Sequence, residues 1–259
     1  MDTPRAALDD DGLARELAGA AGELLLALRQ QSQLMEPGIL RAEGDRRSHE
    51  FLMEQLATLR PADAVLSEEG ADDPARLQAD RVWIVDPLDG TREFGEVPRV
   101  DWAVHVALWE RGALSAGAVA RPAMRSTLWT GRRPTVAARE PGPLRLAVSR
   151  SRPPEFVTRL AERLGAQLVP MGSAGIKACS VIDDVSDAYV HAGGQYEWDS
   201  AAPVAVARAA GLHTSRIDGS ALVYNRHDPL LPDLLICRPE MADQILTALA
   251  EMADYEEAV

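Results

Sequence analysis

The sequence predicts an α+β protein made of two fused lobes, on three observations. Two stretches with apolar residues at helical spacing come first, and strand-like segments follow them. From about residue 144 onward, strands and helices alternate. Between these halves, residues 131–143 are rich in Arg, Pro and Gly and carry no apolar period. The boundary therefore falls near residue 140, giving lobes 1–140 and 141–259. A chain of 259 residues with 46% hydrophobic composition can fill two such lobes.

Leu13, Leu17, Ala21, Leu24, Leu25 and Leu28 recur at spacings of three and four and predict a helix over 11–32. Pro37 and Gly38 make 35–40 a linker. A second helix, marked by Phe51, Leu52, Leu56 and Leu59, starts just after Asp45, which reads locally as its N-cap. That helix stops before Pro61. Ala64-Val65-Leu66 is a short strand leading into Ser67-Glu68-Glu69-Gly70, and 72–80 is a loop or one helical turn. Val82 to Val85 is a buried strand that Asp86, Pro87 and Gly90 bring to a turn. Trp102–Trp109 and Leu114–Arg121 form a hairpin about Glu110-Arg111-Gly112, with a third strand over Ser126–Thr130. The second half offers strands at 144–148, 167–170, 187–191 and 234–237, and a turn at Gly193-Gly194. Its helices lie at 154–164, after Gly172-Ser173-Ala174-Gly175 with Ile176, Cys179 and Ile182, from Trp198 to Gly211, and at 239–252.

Net charge is −13, from 27 basic and 40 acidic residues, a surface that repels nucleic-acid backbone and anionic lipid. A small phosphorylated substrate is compatible with it, because bound metal reverses the local field. Cys179 and Cys237 make no disulfide framework, which points to a reducing cytoplasm. Met1-Asp2-Thr3-Pro4 opens without a basic or apolar leader, and no apolar run reaches the roughly 18–20 residues of a membrane helix. The five histidines lack paired ligand spacing, so zinc is not expected, and His105 and His191 read as structural. Ser173 lacks a nucleophile elbow.

The chemistry concentrates at Asp86-Pro87-Leu88-Asp89-Gly90-Thr91. Two carboxylates three residues apart end a strand in a Pro- and Gly-stiffened turn, beside N–H groups that attract phosphate. Glu68-Glu69 ends the preceding strand, and Asp199 opens a helix. Taken singly, Glu68 and Glu69 fit a solvated turn, Asp199 fits an N-cap, and the Asp86–Asp89 pair fits turn chemistry. Together they supply oxygen ligands for Mg²⁺ and a clamp for phosphate. Tyr196 and Trp198 flank this region, where base stacking and core packing both remain open.

Asp86-Pro87-Leu88-Asp89-Gly90-Thr91, with Trp198-Asp199-Ser200-Ala201-Ala202 far downstream, resembles the two signatures of the inositol monophosphatase superfamily. Glu68-Glu69 stands at the matching distance ahead of the first signature. Thr91-Arg92-Glu93-Phe94 and Glu197-Trp198-Asp199 resemble the CysQ branch of 3′(2′),5′-bisphosphate nucleotidases. The resemblance runs from about residue 12 to the C-terminus. It implies a layered αβαβα sandwich of the inositol monophosphatase and fructose-1,6-bisphosphatase type, a homodimer, and two or three Mg²⁺ ions. It further implies a lithium-sensitive phosphatase that removes the 3′-phosphate of 3′-phosphoadenosine 5′-phosphate, or of its phosphosulfate, in sulfate assimilation. Glu68, Asp86, Asp89 and the Leu88 carbonyl would bind one metal, and Asp86, Asp89 and Asp199 a second. Asp45 and Thr91 would orient the water, with Glu69 behind them. Gly90 and Thr91 would hold phosphate, and Gly172-Ser173-Ala174 would face the sugar, with Lys177 and Glu197 as further contacts. The family's threonine three residues before Asp45 is Ala42 here. A haloacid-dehalogenase-like phosphatase would need its acids two apart. Inositol monophosphatase or fructose-1,6-bisphosphatase activity would use the same metal site, and a non-catalytic binder would keep the fold without turnover.

Overall fold

The computed structural model of the chain describes residues 7–32 and 35–257; the Met1–Pro4 stretch lies outside them. Helix α1 (Asp10–Gln31) starts where Asp9 accepts the Gly12 N–H at 2.8 Å, and it buries Leu13, Leu17, Ala21 and Leu25. Helix α2 (Pro37–Leu59) begins earlier than predicted. Glu36 caps it by accepting the Gly38 and Ile39 N–H groups at 2.9 and 3.1 Å, and Pro37 sits where a helix needs no N–H. Residues 37–40 therefore belong to the helix rather than to a linker, and Asp45 lies two turns inside it rather than at its cap.

The first sheet holds β1 (Ala64–Ser67), β2 (Arg81–Asp89), β3 (Ala103–Glu110), β4 (Ala113–Arg121) and β5 (Ser126–Trp129), in that order. β1 runs parallel to β2, and the remaining pairs are antiparallel. β2 does not end at Val85. It carries Asp86 to Asp89 through a bulge, since Asp86 pairs with His105 and Asp89 with Ala103. Gly90 then turns with φ +83° into the short helix α3 (Thr91–Gly95).

The second sheet holds β6 (Arg145–Ser149), β7 (Gln167–Met171), β8 (Ala188–Tyr196), β9 (His213–Ser215) and β10 (Leu230–Cys237), in the order β7-β6-β8-β10-β9. Gly193-Gly194 is a bulge within β8 rather than a turn that ends it. Ala192 pairs with Asp233 and Gln195 with Leu231, and the extra residue is absorbed at φ +85° and +76°. β9, three residues long, left no pattern to predict. The second half also contributes α4 (Glu155–Leu164), α5 (Ala174–Ile182), α6 (Glu197–Ala209) and α7 (Ala242–Glu257).

Three apolar cores hold five layers together, one of them enclosing the central helices on both sides. α1 and α2 cover one face of the first sheet, α5 and α6 lie between the sheets, and α4 and α7 cover the outer face of the second. This is the αβαβα sandwich. Alanine makes the central layer thin enough to fit: Ala201, Ala202, Ala205 and Ala207 of α6 are buried. A Cβ on Gly117 of β4 would stand 2.7 Å from the Ala205 Cβ, so only glycine admits α6 this closely. Among the described residues, no helix is long and apolar enough to cross a membrane.

Candidate metal and phosphate site

The end of β2, the end of β1 and the start of α6 meet between the two sheets. One carboxylate oxygen each from Asp86, Asp89 and Asp199 lies within 4.8 Å of the others. Asp86 is 1% exposed and Asp89 7%. Burial and the nearby charges of Glu68, Asp89 and Asp199 push the Asp86 carboxyl well above the carboxylate range. Glu68 lies beside Asp86. Desolvation and the Asp199 charge push it up to about 7. Asp199 is pushed up to about 6 by burial and by Asp89. Carboxylates this crowded retain protons unless a cation takes their place, so the residues present fit a hard divalent ion.

Asp89 behaves in the opposite way. Burial would raise its carboxyl, but His105, Lys177 and Ser173 outweigh that and hold it well below the usual range. Oδ1 accepts the Ala174 N–H at 3.0 Å. Oδ2 accepts the Gly175 N–H at 2.7 Å and the Ser173 hydroxyl. His105 Nε2 stands 3.1 Å from the same Oδ2. The ring's Nδ1 lies 3.2 Å from the Trp198 carbonyl. Both ring nitrogens thus face acceptors. Burial would lower the imidazole, but Asp89 raises it overall. Gly175 makes the contact feasible, because a Cβ there would lie 2.1 Å from His105 Nε2.

A second group adjoins the turn. Gly44 lets α2 close on β2, since a Cβ there would stand 2.7 Å from Phe94 and 2.9 Å from Leu88. Ser48 donates to the Pro87 carbonyl at 2.7 Å. These contacts bring Asp45 Oδ1 to 3.4 Å from Thr91 Oγ1, which also donates to the Leu88 carbonyl at 3.0 Å. Burial and the charge of Glu69 push Asp45 up to about 7. Ala42, exposed on α2, offers no hydroxyl here.

The structure therefore brings together Asp45, Glu68, Glu69, Asp86, Leu88, Asp89, Gly90, Thr91 and Asp199. Two expected substrate contacts have protein partners in this structure. Glu197 is 1% exposed, and its carboxylate accepts the Asn225 and Arg226 N–H groups at 2.7 and 2.8 Å. Buried Arg76 holds the same loop through Asn225 Oδ1 at 2.7 Å and the Arg226 carbonyl at 2.9 Å. Glu197 is thus spent on a loop. Gly172-Ser173-Ala174 likewise turns its donors inward, with the Gly172 N–H on Asp101 at 2.7 Å and the other two on Asp89. Lys177 is the only lysine in the chain. It is buried, with Nζ 5.2 Å from the Tyr189 ring centre. Burial lowers its pKa, against the pull of Asp89 and Asp199. His105, which the sequence left as a structural residue, is the missed member of the site. Its register opposite Asp86 is visible only once β3 is paired.

The inositol monophosphatase family profile matches residues 11–253. The chain belongs to the inositol monophosphatase family. It is 48% identical over 260 residues to the 3′-phosphoadenosine 5′-phosphate phosphatase of Mycobacterium leprae, covering 96% of each chain. It is 52% identical over 239 residues to the protein of the same name from Mycobacterium tuberculosis, covering 89% of this chain and 90% of that one. Among solved structures, CysQ from Bacteroides thetaiotaomicron superposes with a TM-score of 0.72 at 27% identity, over 87% of this chain and 95% of that one. This inositol monophosphatase family member thus carries the Asp86–Thr91 and Trp198–Ala202 signatures on one cluster of acids.

Proposed function

We propose that the protein is a Mg²⁺-dependent 3′(2′),5′-bisphosphate nucleotidase that hydrolyses the 3′-phosphate of 3′-phosphoadenosine 5′-phosphate. The observation that carries the phosphatase reading is the meeting of Asp86, Asp89 and Asp199 oxygens within 4.8 Å at the end of β2. The mycobacterial and CysQ relatives favour the adenosine bisphosphate over inositol or fructose phosphates. The phosphosulfate is a second substrate, which ties the protein to sulfate assimilation. The protein works as a cytoplasmic homodimer of two-lobed subunits and is inhibited by lithium.

Glu68, Asp86, Asp89, Asp199 and the Leu88 carbonyl would hold two or three Mg²⁺ ions. When bound, the ions lower the pKa of water and neutralise charge on the phosphoryl group. The chain's own residues do the remaining work. Asp45, charged once a cation offsets its acidic surroundings, accepts the proton of the attacking water that Thr91 helps to orient. The Gly90 and Thr91 N–H groups receive the phosphoryl oxygens. Glu69 acts from behind by tuning Asp45. Lys177 meets the 5′-phosphate, giving its buried ammonium a full counter-charge.

The test is phosphate release with Mg²⁺, with and without lithium, from 3′-phosphoadenosine 5′-phosphate, inositol 1-phosphate and fructose 1,6-bisphosphate. The account expects kcat/KM to favour the nucleotide by at least tenfold and lithium to remove the activity. Preference for a sugar phosphate would keep the metal site and overturn the substrate.

A further inference from the structure

The two aromatic residues ahead of Asp199 have separate environments. Trp198 is half-buried and packs against the core between the sheets. Tyr196 is 41% exposed. The two rings stack with centroids 4.8 Å apart and planes 9° from parallel. Trp198 therefore fixes the plane of Tyr196 from beneath and leaves its outer face to solvent. The backbone that carries this ring is close to the reacting centre. The Tyr196 N–H donates to Asp199 Oδ2 at 2.7 Å, and Asp199 belongs to the carboxylate cluster. Tyr196 precedes Asp199 by three residues, about 4.5 Å of helical rise. A furanose spans a comparable gap between its 3′-oxygen and its base.

We propose that Tyr196, propped by Trp198, is the stacking platform for the substrate's nucleobase and sets the preference for nucleotides over polyol phosphates. The proposal rests on the nucleotidase reading above. A pre-oriented aromatic face loses little side-chain entropy on binding a flat heterocycle. The ring face itself supplies no hydrogen-bond acceptor of the kind that the hydroxyls of an inositol or fructose ring need. The β8 bulge at Gly193-Gly194 carries no side chains that could cover the ring, and both glycines are exposed.

The experiment compares wild type with Tyr196→Ala and Tyr196→Trp. Calorimetry follows AMP and inorganic phosphate binding with Mg²⁺ present, and turnover is followed on 3′-phosphoadenosine 5′-phosphate and inositol 1-phosphate. Base stacking predicts that Tyr196→Ala weakens AMP binding roughly ten- to a hundred-fold. The loss on the nucleotide appears mainly in KM and is at least ten times the loss on inositol 1-phosphate. Tyr196→Trp keeps AMP affinity within about threefold, because a larger ring stacks as well. Equal AMP affinity in wild type and Tyr196→Ala overturns the platform, as does an equal loss on both substrates or for phosphate. A wild type that turns over inositol 1-phosphate as well as the nucleotide would overturn the nucleotidase reading instead. The AMP titration would still decide whether Tyr196 holds a base.

Discussion

Asp86 and Asp89 stand three residues apart on one strand, yet the two sides of the site treat them in opposite ways. On the side built by β1, β2 and α2, Asp86, Glu68 and Asp45 lie among other acids, and their carboxyls are pushed upward. On the side closed by the start of α5, Asp89 meets three donors from Ser173, Ala174 and Gly175, together with His105, and its carboxyl is pushed down. Burial is shared, so it is not the deciding effect; the sign of the neighbouring charges and dipoles is. One side is incomplete without a cation. The other already has protein donors on both oxygens of its carboxylate.

The largest effect should come from removing either charge. Asp86→Asn and Asp89→Asn are both expected to lower turnover by roughly a thousand-fold, at the upper end of what losing one electrostatic group removes. Their effects on metal-free stability should separate. At pH 8, Asp86→Asn relieves repulsion, keeps an acceptor for the Leu88 N–H that Asp86 now accepts at 3.0 Å, and raises Tm. Asp89→Asn turns an amide toward donors and lowers stability by about 1–3 kcal/mol. Equal Tm shifts in the two variants would erase the distinction.

A smaller effect sharpens the same contrast. His105→Gln keeps a donor near Asp89 but removes the titratable imidazole that Asp89 favours in its charged form. The account expects Mg²⁺ affinity to fall roughly ten- to a hundred-fold, as for other groups that orient a metal ligand, while the circular dichroism stays native. Calorimetric titration of Mg²⁺ measures it, and unchanged affinity would make His105 a packing residue only.

What the sequence revealed and what it hid follow the same division. Asp86 and Asp89 could be read because turn residues and an apolar strand mark their positions locally, whereas Asp199 was marked only as the opening of a helix. Glu197 and the Gly172–Ala174 segment have the same local look, but partners far along the chain decide where their polar groups point. Glu197 faces a loop near residue 225, and Ser173 faces a strand end near residue 89. His105 was hidden because its meaning comes from strand register. Pro37-Gly38 reads as a linker, and only the Glu36 cap shows that a helix starts there. Lys177 carried a signal in composition, as the only lysine beside many arginines. The five layers were implied by resemblance. The alternation of elements alone gave two lobes without their stacking.

The most direct test of the central claim is thermal unfolding of the metal-free protein from pH 5 to 8, with and without Mg²⁺. Glu68, Asp199 and Asp45 carry folded pKa values of about 7, 6 and 7, above ordinary carboxyls, so the folded state holds extra protons between about pH 4 and 7. His105, raised above its ordinary value, adds stability at low pH that is lost as pH rises through its folded pKa. Asp89 is ionised throughout this range and adds no slope. The account predicts that Tm falls as pH rises from 5 to 8 and that millimolar Mg²⁺ restores it at pH 8 while doing little at pH 5. A Tm that is flat or rises with pH, or that ignores Mg²⁺ at pH 8, would contradict a carboxylate cluster built around a cation.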